Sequence, residues 1–395
     1  MMNTDPETLG IEVIDSEEAF IAHKDEWDAL IEKSINPSFY ATYPFVYTAW
    51  KHYHGENDQL FILFVRRGTT LVGIAPFRIE SMKMGNTCLI RSIRLRMIQF
   101  IAEWGGGDKP AIVATEQQEL IWNRIFQFLN DEFSQWDGLV LVEQPEDSPV
   151  LNQRFLSKIR YFARIVPEST SFYLSLTGTW EEYTKNLGKN TLRTWRKDTK
   201  KIFNFPECVK FQCFDNPESL PDALQRFIAL EQSGWKKNSP FSVGGNEKQK
   251  AFYEDLLNIL VPKNMVAIYF LTSGATDIAA KLIFKCHSKV YSAQVTYNSK
   301  FANYSPGVVL TAEIIKTFFG TQYKEFDFLG FRNDRKNDAK KNWSTGTRQT
   351  ITITIYKRNS RMVLYMMGDR LKRSLLNVAK ILSLQPSQET HIIEQ

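Results

Sequence analysis

The sequence predicts a mixed α/β fold, an α+β mixed sheet made by repeating one unit in tandem, and three observations carry that prediction. A hairpin signature, "FILFVRRGTTLVGIAPF", is answered later by "IYFLTSGATDIAAKLIF", so that Phe64, Gly68, Val72 and Phe77 fall in step with Phe270, Gly274, Ile278 and Ile283. Each hairpin leads through further strand material to an amphipathic helix. Each unit then closes on a short apolar strand, "GLVLVEQ" in the first half and "EFDFLGF" in the second.

The elements follow in order. "SEEAFIAHKDEWDALIEKS" reads as a helix capped by Ser16, with Phe20, Trp27, Leu30 and Ile31 on one face, and "PFVYTAWKHY" as a second helix. After the first hairpin, strand-like segments near Ile98–Ala102 and Pro110–Ala114 flank "GGGDK", and the helix "QQELIWNRIFQFLNDEF" precedes "GLVLVEQ". In the second half the strand "SFYLSL" leads to one basic helix, "WEEYTKNLGKNTLRTWRKDTKKIF". Helices around "LPDALQRFIALEQSGWKK" and "EKQKAFYEDLLNIL" come next, then the second hairpin, the strand "VYSAQVTYN" and the loop "SKFANY". The expected division is residues 1–167, residues 168–358, and an amphipathic helical tail over 359–395 with basic residues on its polar side.

Composition narrows the function classes. With 395 residues, 43% hydrophobic and 13% aromatic, the chain can bury large cores, and a net charge of +5 permits acidic partners without demanding a nucleic acid. Cys88, Cys208, Cys213 and Cys286 form no CxxC pair and have no His-rich partner segment, so no metal is expected and the thiols read as idle ones in a reducing cytosol. The start, "MMNTDPETLG", lacks the order of a signal peptide, and no apolar run is long enough to cross a bilayer. A cytoplasmic protein is expected. The five histidines show no triad or metal spacing, and no serine is set in a nucleophile elbow, so hydrolase chemistry finds no support.

One stretch suggests a ligand. In "YNSKFANYSPGVVLTAEIIKTFFG", Ser305 is placed as the cap of a helix whose first turn holds Pro306 and Gly307. Gly307 leaves the turn unshielded, so the amides of Gly307, Val308 and Val309 are expected to face an anion. Helices also start this way for geometric reasons alone.

That stretch, with "LGKNTLRTWRKDTKKI", Trp235, "EFDFLG" and "KKNW", resembles the acetyltransferase domain of CelD-like GNAT proteins. That family is associated with exopolysaccharide and cellulose biosynthesis and is related to the FemABX aminoacyl transferases. The resemblance covers roughly residues 170–357, and the first half resembles the degenerate N-terminal repeat of such proteins. It implies that the turn at Ser305 and Pro306 binds the pyrophosphate of acetyl-CoA or another acyl-CoA, with Thr296 on a strand flanking the pantetheine arm. It also implies an acyl acceptor that is an amine of a sugar or glycan precursor. The usual glycine-rich loop is reduced here to a single glycine, which leaves coenzyme A binding open.

Individual residues then take candidate roles. Asp327, between Phe326 and Phe328, turns away from both by strand alternation and could accept a proton from the amine, or could anchor a loop. Tyr297 and Tyr304 bracket the expected thioester end and could protonate the leaving thiolate. Lys281 interrupts an apolar strand on the face of Ala279 and Ile283; an exposed sheet face is the simpler reading, an anionic acceptor the functional one. Gln294 and Thr296 share one strand face, with Tyr291, Val295 and Tyr297 on the other. Lys189 and Arg193 match the family's basic motif, on a segment with Arg196, Lys197, Lys200 and Lys201. Lys340, with Trp343, matches its K-x-x-W pattern and is the side chain best placed to meet a phosphate. Trp235 and Trp343 read as core.

Other partners and roles follow. The basic segment keeps open a transfer from charged tRNA, less favoured than acyl-CoA, while DNA is not expected. The reduced glycine loop keeps open a non-catalytic partner of a polysaccharide synthase, and the tail a peripheral membrane contact. "EWGGGDKP" is preferred as a flexible turn over an anion nest.

Overall fold

Gly68 and Gly274 both adopt φ +57, the left-handed region a tight hairpin turn needs, so the two glycines in step are two equivalent hairpin turns. The computed structural model describes residues 9–34, 37–84, 93–102, 113–114, 118–151, 161–205, 208–234, 236–237, 239, 242–332 and 339–357. The expected tail helix over 359–395, Trp235, Cys88, Arg335, Lys336 and the glycines of "EWGGGDKP" lie outside the described residues.

The first unit runs β1 (Leu9–Ile14), α1 (Glu17–Ala22), α2 (Lys24–Lys33), α3 (Tyr43–Tyr53), β2 (Gln59–Arg67), β3 (Thr70–Met84), β4 (Ile93–Phe100), β5 (Val113–Ala114), α4 (Gln118–Asp131) and β6 (Gly138–Pro145). Then come β7 (Tyr161–Ser175), α5 (Trp180–Asn186) and α6 (Lys189–Phe203). The second unit repeats the first as β8 (Val209–Phe214), α7 (Leu220–Ser233), α8 (Glu247–Leu260), β9 (Val266–Ser273), β10 (Thr276–Cys286), β11 (Lys289–Tyr297), α9 (Pro306–Phe318) and β12 (Glu325–Arg332). It ends with α10 (Ala339–Trp343) and β13 (Gly346–Lys357).

Capping follows the sequence. The Ser16 side chain accepts from the Ala19 amide, and Thr179 with Glu182 forms a reciprocal capping box at the start of α5. The single basic helix expected from Trp180 is instead two, because Leu187 is extended and Gly188 starts a new helix.

One sheet joins everything, in the order β1-β2-β3-β4-β6-β13-β7-β12-β11-β10-β9-β8, with β5 on β3. Read from either edge, four antiparallel strands lead to a parallel pair, β4 with β6 and β11 with β12, and each pair is bridged by a helix, α4 or α9. This mirror order is the tandem duplication. The expected division at residue 167 falls within β7, at Pro167, where the register against β13 shifts.

Three apolar clusters hold the sheet. On one face α1, α2, α3, α7 and α8 share a core that crosses between units, where Phe39 stacks on Phe284 with ring centroids 4.2 Å apart. On the other face α4 lays Trp122 and its neighbours over Phe77 and Ile353, and α9 covers Leu174, Phe326 and Phe328. Trp180, Trp195 and Trp343 pack together beside α9, and Trp343 is buried as expected of a core residue.

Candidate active site at the parting of two parallel strands

β11 and β12 pair through only three residues each, Lys289 with Glu325, Val290 with Phe326 and Tyr291 with Asp327. Beyond that point β12 pairs with β7 alone, through a bulge between Asp327 and Gly330 in which Leu329 takes φ +63. The strands therefore open at their carboxyl ends, where α/β sheets hold ligands.

Asp327 shapes this opening. Strand alternation holds: Phe326 and Phe328 enter the core under α9, and Asp327 turns to the opposite face. There it is fully buried. Its Oδ1 accepts from the Leu329 amide at 2.6 Å and from the Ser171 hydroxyl at 3.2 Å, and its Oδ2 lies 3.5 Å from Arg348 Nη1. Arg348 also grips Glu325 and lies over the Tyr173 ring.

On the α9 face, β11 passes through a 3₁₀ turn, Ser299–Tyr304, to Ser305, which adopts φ +49. This left-handed residue aims its carbonyl along the new helix, where it accepts from Val308 N at 2.9 Å and Val309 N at 3.1 Å. The expectation that both of those amides face a ligand is therefore corrected: the helix's own first turn occupies them. The Ser305 hydroxyl makes no capping bond, and Pro306 is buried. The Gly307 amide has no partner among the described residues, and Ser305, Gly307 and Val308 are half-buried, so the mouth of α9 is open. A Cβ at Gly307 would stand 3.4 Å from Val295 Cγ2 and 3.7 Å from Tyr297 Cδ1, which places Tyr297 against this turn. The Tyr304 ring packs 5.1 Å from Phe205, with the Lys201 ammonium 5.9 Å from its centre.

Lys281 does not occupy an exposed sheet face. It is 4% exposed, and its Nζ donates to Thr311 Oγ1 at 2.9 Å; Thr311 in turn donates to the Gly307 carbonyl at 2.6 Å. Burial pushes its amine down to about 7, and Lys340 and Lys236 add to the effect.

The opposite face of β11 carries a polar network. A bulge opposite Leu282 and Ile283 brings Tyr291 and Gln294 to the same face, which corrects their expected separation; Val295 and Tyr297 remain on the α9 side. Gln294 Oε1 accepts from Lys236 Nζ at 2.7 Å, and its Nε2 lies 3.4 Å from Tyr253 Oη. The fully buried Glu231 carboxylate accepts from Ser242 Oγ at 2.7 Å and the Gly244 amide at 3.3 Å, with Lys236 Nζ at 3.5 Å. Burial lowers the Lys236 amine, against the pull of Glu231. Gly234 lets α7 end against β11: a Cβ there would meet the Tyr297 carbonyl at 2.9 Å. Thr296 is fully enclosed, and its Oγ1 has no hydrogen-bond partner among the described residues.

The opening is thus bordered by the half-buried Gln294, Tyr297 and Gly307, with Thr296, Lys281 and Asp327 buried behind it. Lys340 Nζ lies 3.5 Å from the Gly330 carbonyl and acts on both Lys281 and Lys236. Lys189 and Arg193 stand apart, exposed at the start of α6. Its far end approaches α9, so Lys201, rather than Lys189, is the cation beside Tyr304. Reasoning from sequence missed Glu231, Lys236, Tyr253 and Arg348. Glu231 carried a signal, an acid within the apolar stripe of Leu224, Phe227, Ile228 and Leu230. Among the described residues no helix is long and apolar enough to cross a membrane, and no three His, Cys, Asp or Glu side chains cluster for a metal.

Residues 189–341 match the family model described as "Acetyltransferase (GNAT) domain", a span that contains every residue named in the opening. A crystal structure of FemX aligns over 87% of this chain and 98% of its own, at 12% identity and a TM-score of 0.60. A conserved protein of unknown function from Bacteroides thetaiotaomicron aligns over 88% and 100%, at 10% identity and a TM-score of 0.55. The C-terminal domain of a putative lysylphosphatidylglycerol synthetase from Agrobacterium fabrum aligns over 89% and 96%, at 11% identity and a TM-score of 0.53. No curated protein matches the chain. The fold is therefore of the GNAT type, and the second unit carries the match to a GNAT acetyltransferase domain.

Proposed function

We propose that the second unit transfers an acyl group from acyl-CoA, acetyl-CoA in the first instance, to the amine of a sugar or glycan precursor in the cytoplasm. The supporting observation is the parted β11 and β12 ending at an open Gly307 amide on the first turn of α9. In this reading the Gly307 amide and the positive end of α9 hold the pyrophosphate, and the pantetheine arm enters between the strands. A β11 amide left without a strand opposite polarises the thioester carbonyl. The amine nitrogen attacks the carbonyl carbon, the carbon–sulfur bond breaks, and the thiolate takes a proton.

Access separates the proton-transfer candidates. Tyr297 lies between the end of β11 and the first turn of α9, which suits the acid that meets the thiolate. Tyr304 is committed to Phe205 and Lys201, and Asp327 is sealed, its Oδ1 held by Leu329 and Ser171 and its Oδ2 facing Arg348, which suits it to holding the opening in shape. The acceptor would lie on the Gln294 and Lys236 side, where Glu231 orders the segment after α7. Membership of the CelD-like group and a link to polysaccharide synthesis belong to this same proposal.

Calorimetric titration with acetyl-CoA tests it. Gly307→Ala, whose Cβ fits at ordinary contact distance, should bind as the native chain does, whereas Gly307→Leu should weaken binding more than tenfold. Equal binding by the leucine variant would refute the assignment.

A second reading, aminoacyl transfer from tRNA, is favoured by α6. Lys189, Arg193, Arg196, Lys197, Lys200 and Lys201 are all exposed, and none has a carboxylate partner among the described residues. Retention of tRNA in a low-salt gel would support it, and unchanged mobility would count against it.

A further inference from the structure

Lys281 presents an unresolved charge. Its side chain is sealed between β10 and the first turns of α9, so it cannot touch a substrate directly. Among the described residues its hydrogen-bond partner is the neutral Thr311, and no carboxylate pairs with it. The charged groups that act on it are Lys340 from α10 and Lys236 from the segment after α7, both cations. The α9 macrodipole places its positive end at the same spot. An ammonium is thus opposed by burial, by two like charges and by a helix terminus. A neutral leucine or methionine would fit the apolar strand more cheaply, yet the chain of bonds from Lys281 through Thr311 ends on the carbonyl of Gly307, the residue whose own amide is open at the mouth of α9.

We propose that Lys281 is the internal counter-charge for a phosphate group seated on the first turn of α9, gaining a proton when that anion binds and losing it when the anion leaves. The inference rests on the acyl-CoA reading above. With the mouth empty, the amine titrates near about 7 and is largely neutral in mildly alkaline solution. Two negative charges on the order of 8 Å away, at an effective dielectric near 20, raise its protonation constant by roughly a thousandfold unscreened, and by roughly a hundredfold once salt and water screen the open mouth. The proton comes from the solvent: the –NH₂ group takes one from the buffer and becomes –NH₃⁺ as the diphosphate docks. Lys281 is accordingly a positioning residue that acts through Thr311 and the field of the turn.

The test is calorimetric titration of the native chain with CoA at pH 8, in two buffers of different ionisation enthalpy. At that pH the phosphates, whose second ionisation lies near 6, are already charged and take up no proton of their own. The expected result is uptake of about 0.8 proton per CoA bound. Lys281→Met should abolish the uptake and weaken binding roughly tenfold, while unfolding cooperatively at a melting temperature no lower than that of the native chain, which shows that the fold is intact. Lys236→Met should retain the uptake. Binding without proton uptake, or uptake that survives Lys281→Met, overturns the inference and leaves the acyl-CoA reading standing. Absence of any CoA binding overturns both.

Discussion

Replacing Asp327 with asparagine separates a catalytic base from a structural anchor. Asparagine keeps an oxygen for the Leu329 amide and the Ser171 hydroxyl, now 2.6 and 3.2 Å from Oδ1. It removes the negative charge that faces Arg348 Nη1 at 3.5 Å and sets an NH₂ donor in its place. Losing one partner of a fully buried ion pair costs about 3–5 kcal/mol; Arg348 is partly exposed and retains Glu325, so a smaller cost, about 2–3 kcal/mol, applies here. At roughly 2–4 °C per kcal/mol for a large domain, the melting temperature should fall by about 5–10 °C. Release of CoA from acetyl-CoA, followed with a thiol reagent and a panel of amines, should give kcat within about threefold of native when measured well below the transition. A loss of about 10²–10⁴ in kcat with an unchanged melting temperature would refute the reasoning and make Asp327 the base.

Other consequences are equally direct. Lys281 titrates near 10.5 when unfolded and near about 7 when folded, so the unfolded chain binds more protons between those values and stability rises with pH across that window. Lys281→Met should remove that slope and stabilise the ligand-free chain at pH 7 by on the order of 4 kcal/mol; urea unfolding at pH 7 and pH 10 reads both, and an unchanged slope contradicts the burial argument. Gly234→Val places atoms against the Tyr297 carbonyl, already 2.9 Å from an ideal Cβ, so KM for the amine should rise at least severalfold with little change in acetyl-CoA affinity. Steady-state kinetics checks it, and equal effects on both substrates would show that α7 does not border the acceptor alone. Arg193→Glu with Lys197→Glu divides the two functional readings. Acyl-CoA chemistry expects KM for acetyl-CoA to shift less than about threefold, and tRNA chemistry expects loss of tRNA retention and a shallower salt dependence.

Much of the fold was legible because local signals agreed with it. Gly68 and Gly274 marked two hairpins through the same positive φ, and the apolar stripes of the helices gave their buried faces. β13 was legible but missed: "TITITIY" alternates as a strand should, yet its place between β6 and β7 depends on pairing with residues about 170 to 220 positions away. The break at Leu187 and Gly188 had a signal that was passed over, since "NLGKN" sets Gly188 between two asparagines, all poor helix formers. At the site, sequence located Gly307, Asp327 and Tyr297 but not the fate of their polar groups. Two of the three expected free amides were already bonded to Ser305, because its left-handed turn cannot be read from a serine. A single bulge in β11 was enough to move Tyr291 to the face of Gln294, and strand periodicity alone carries no mark of it. Lys281 looked like a surface residue because its burial is created by α9 and its Thr311, thirty positions further on.

A crystal structure of the chain with acetyl-CoA bears most directly on the central claim. The account predicts the diphosphate within hydrogen-bond distance of the Gly307 amide and the thioester between β11 and β12 beyond Tyr291 and Asp327. Acetyl-CoA held elsewhere, or strands that stay closed with the mouth of α9 unoccupied at saturating ligand, would contradict it.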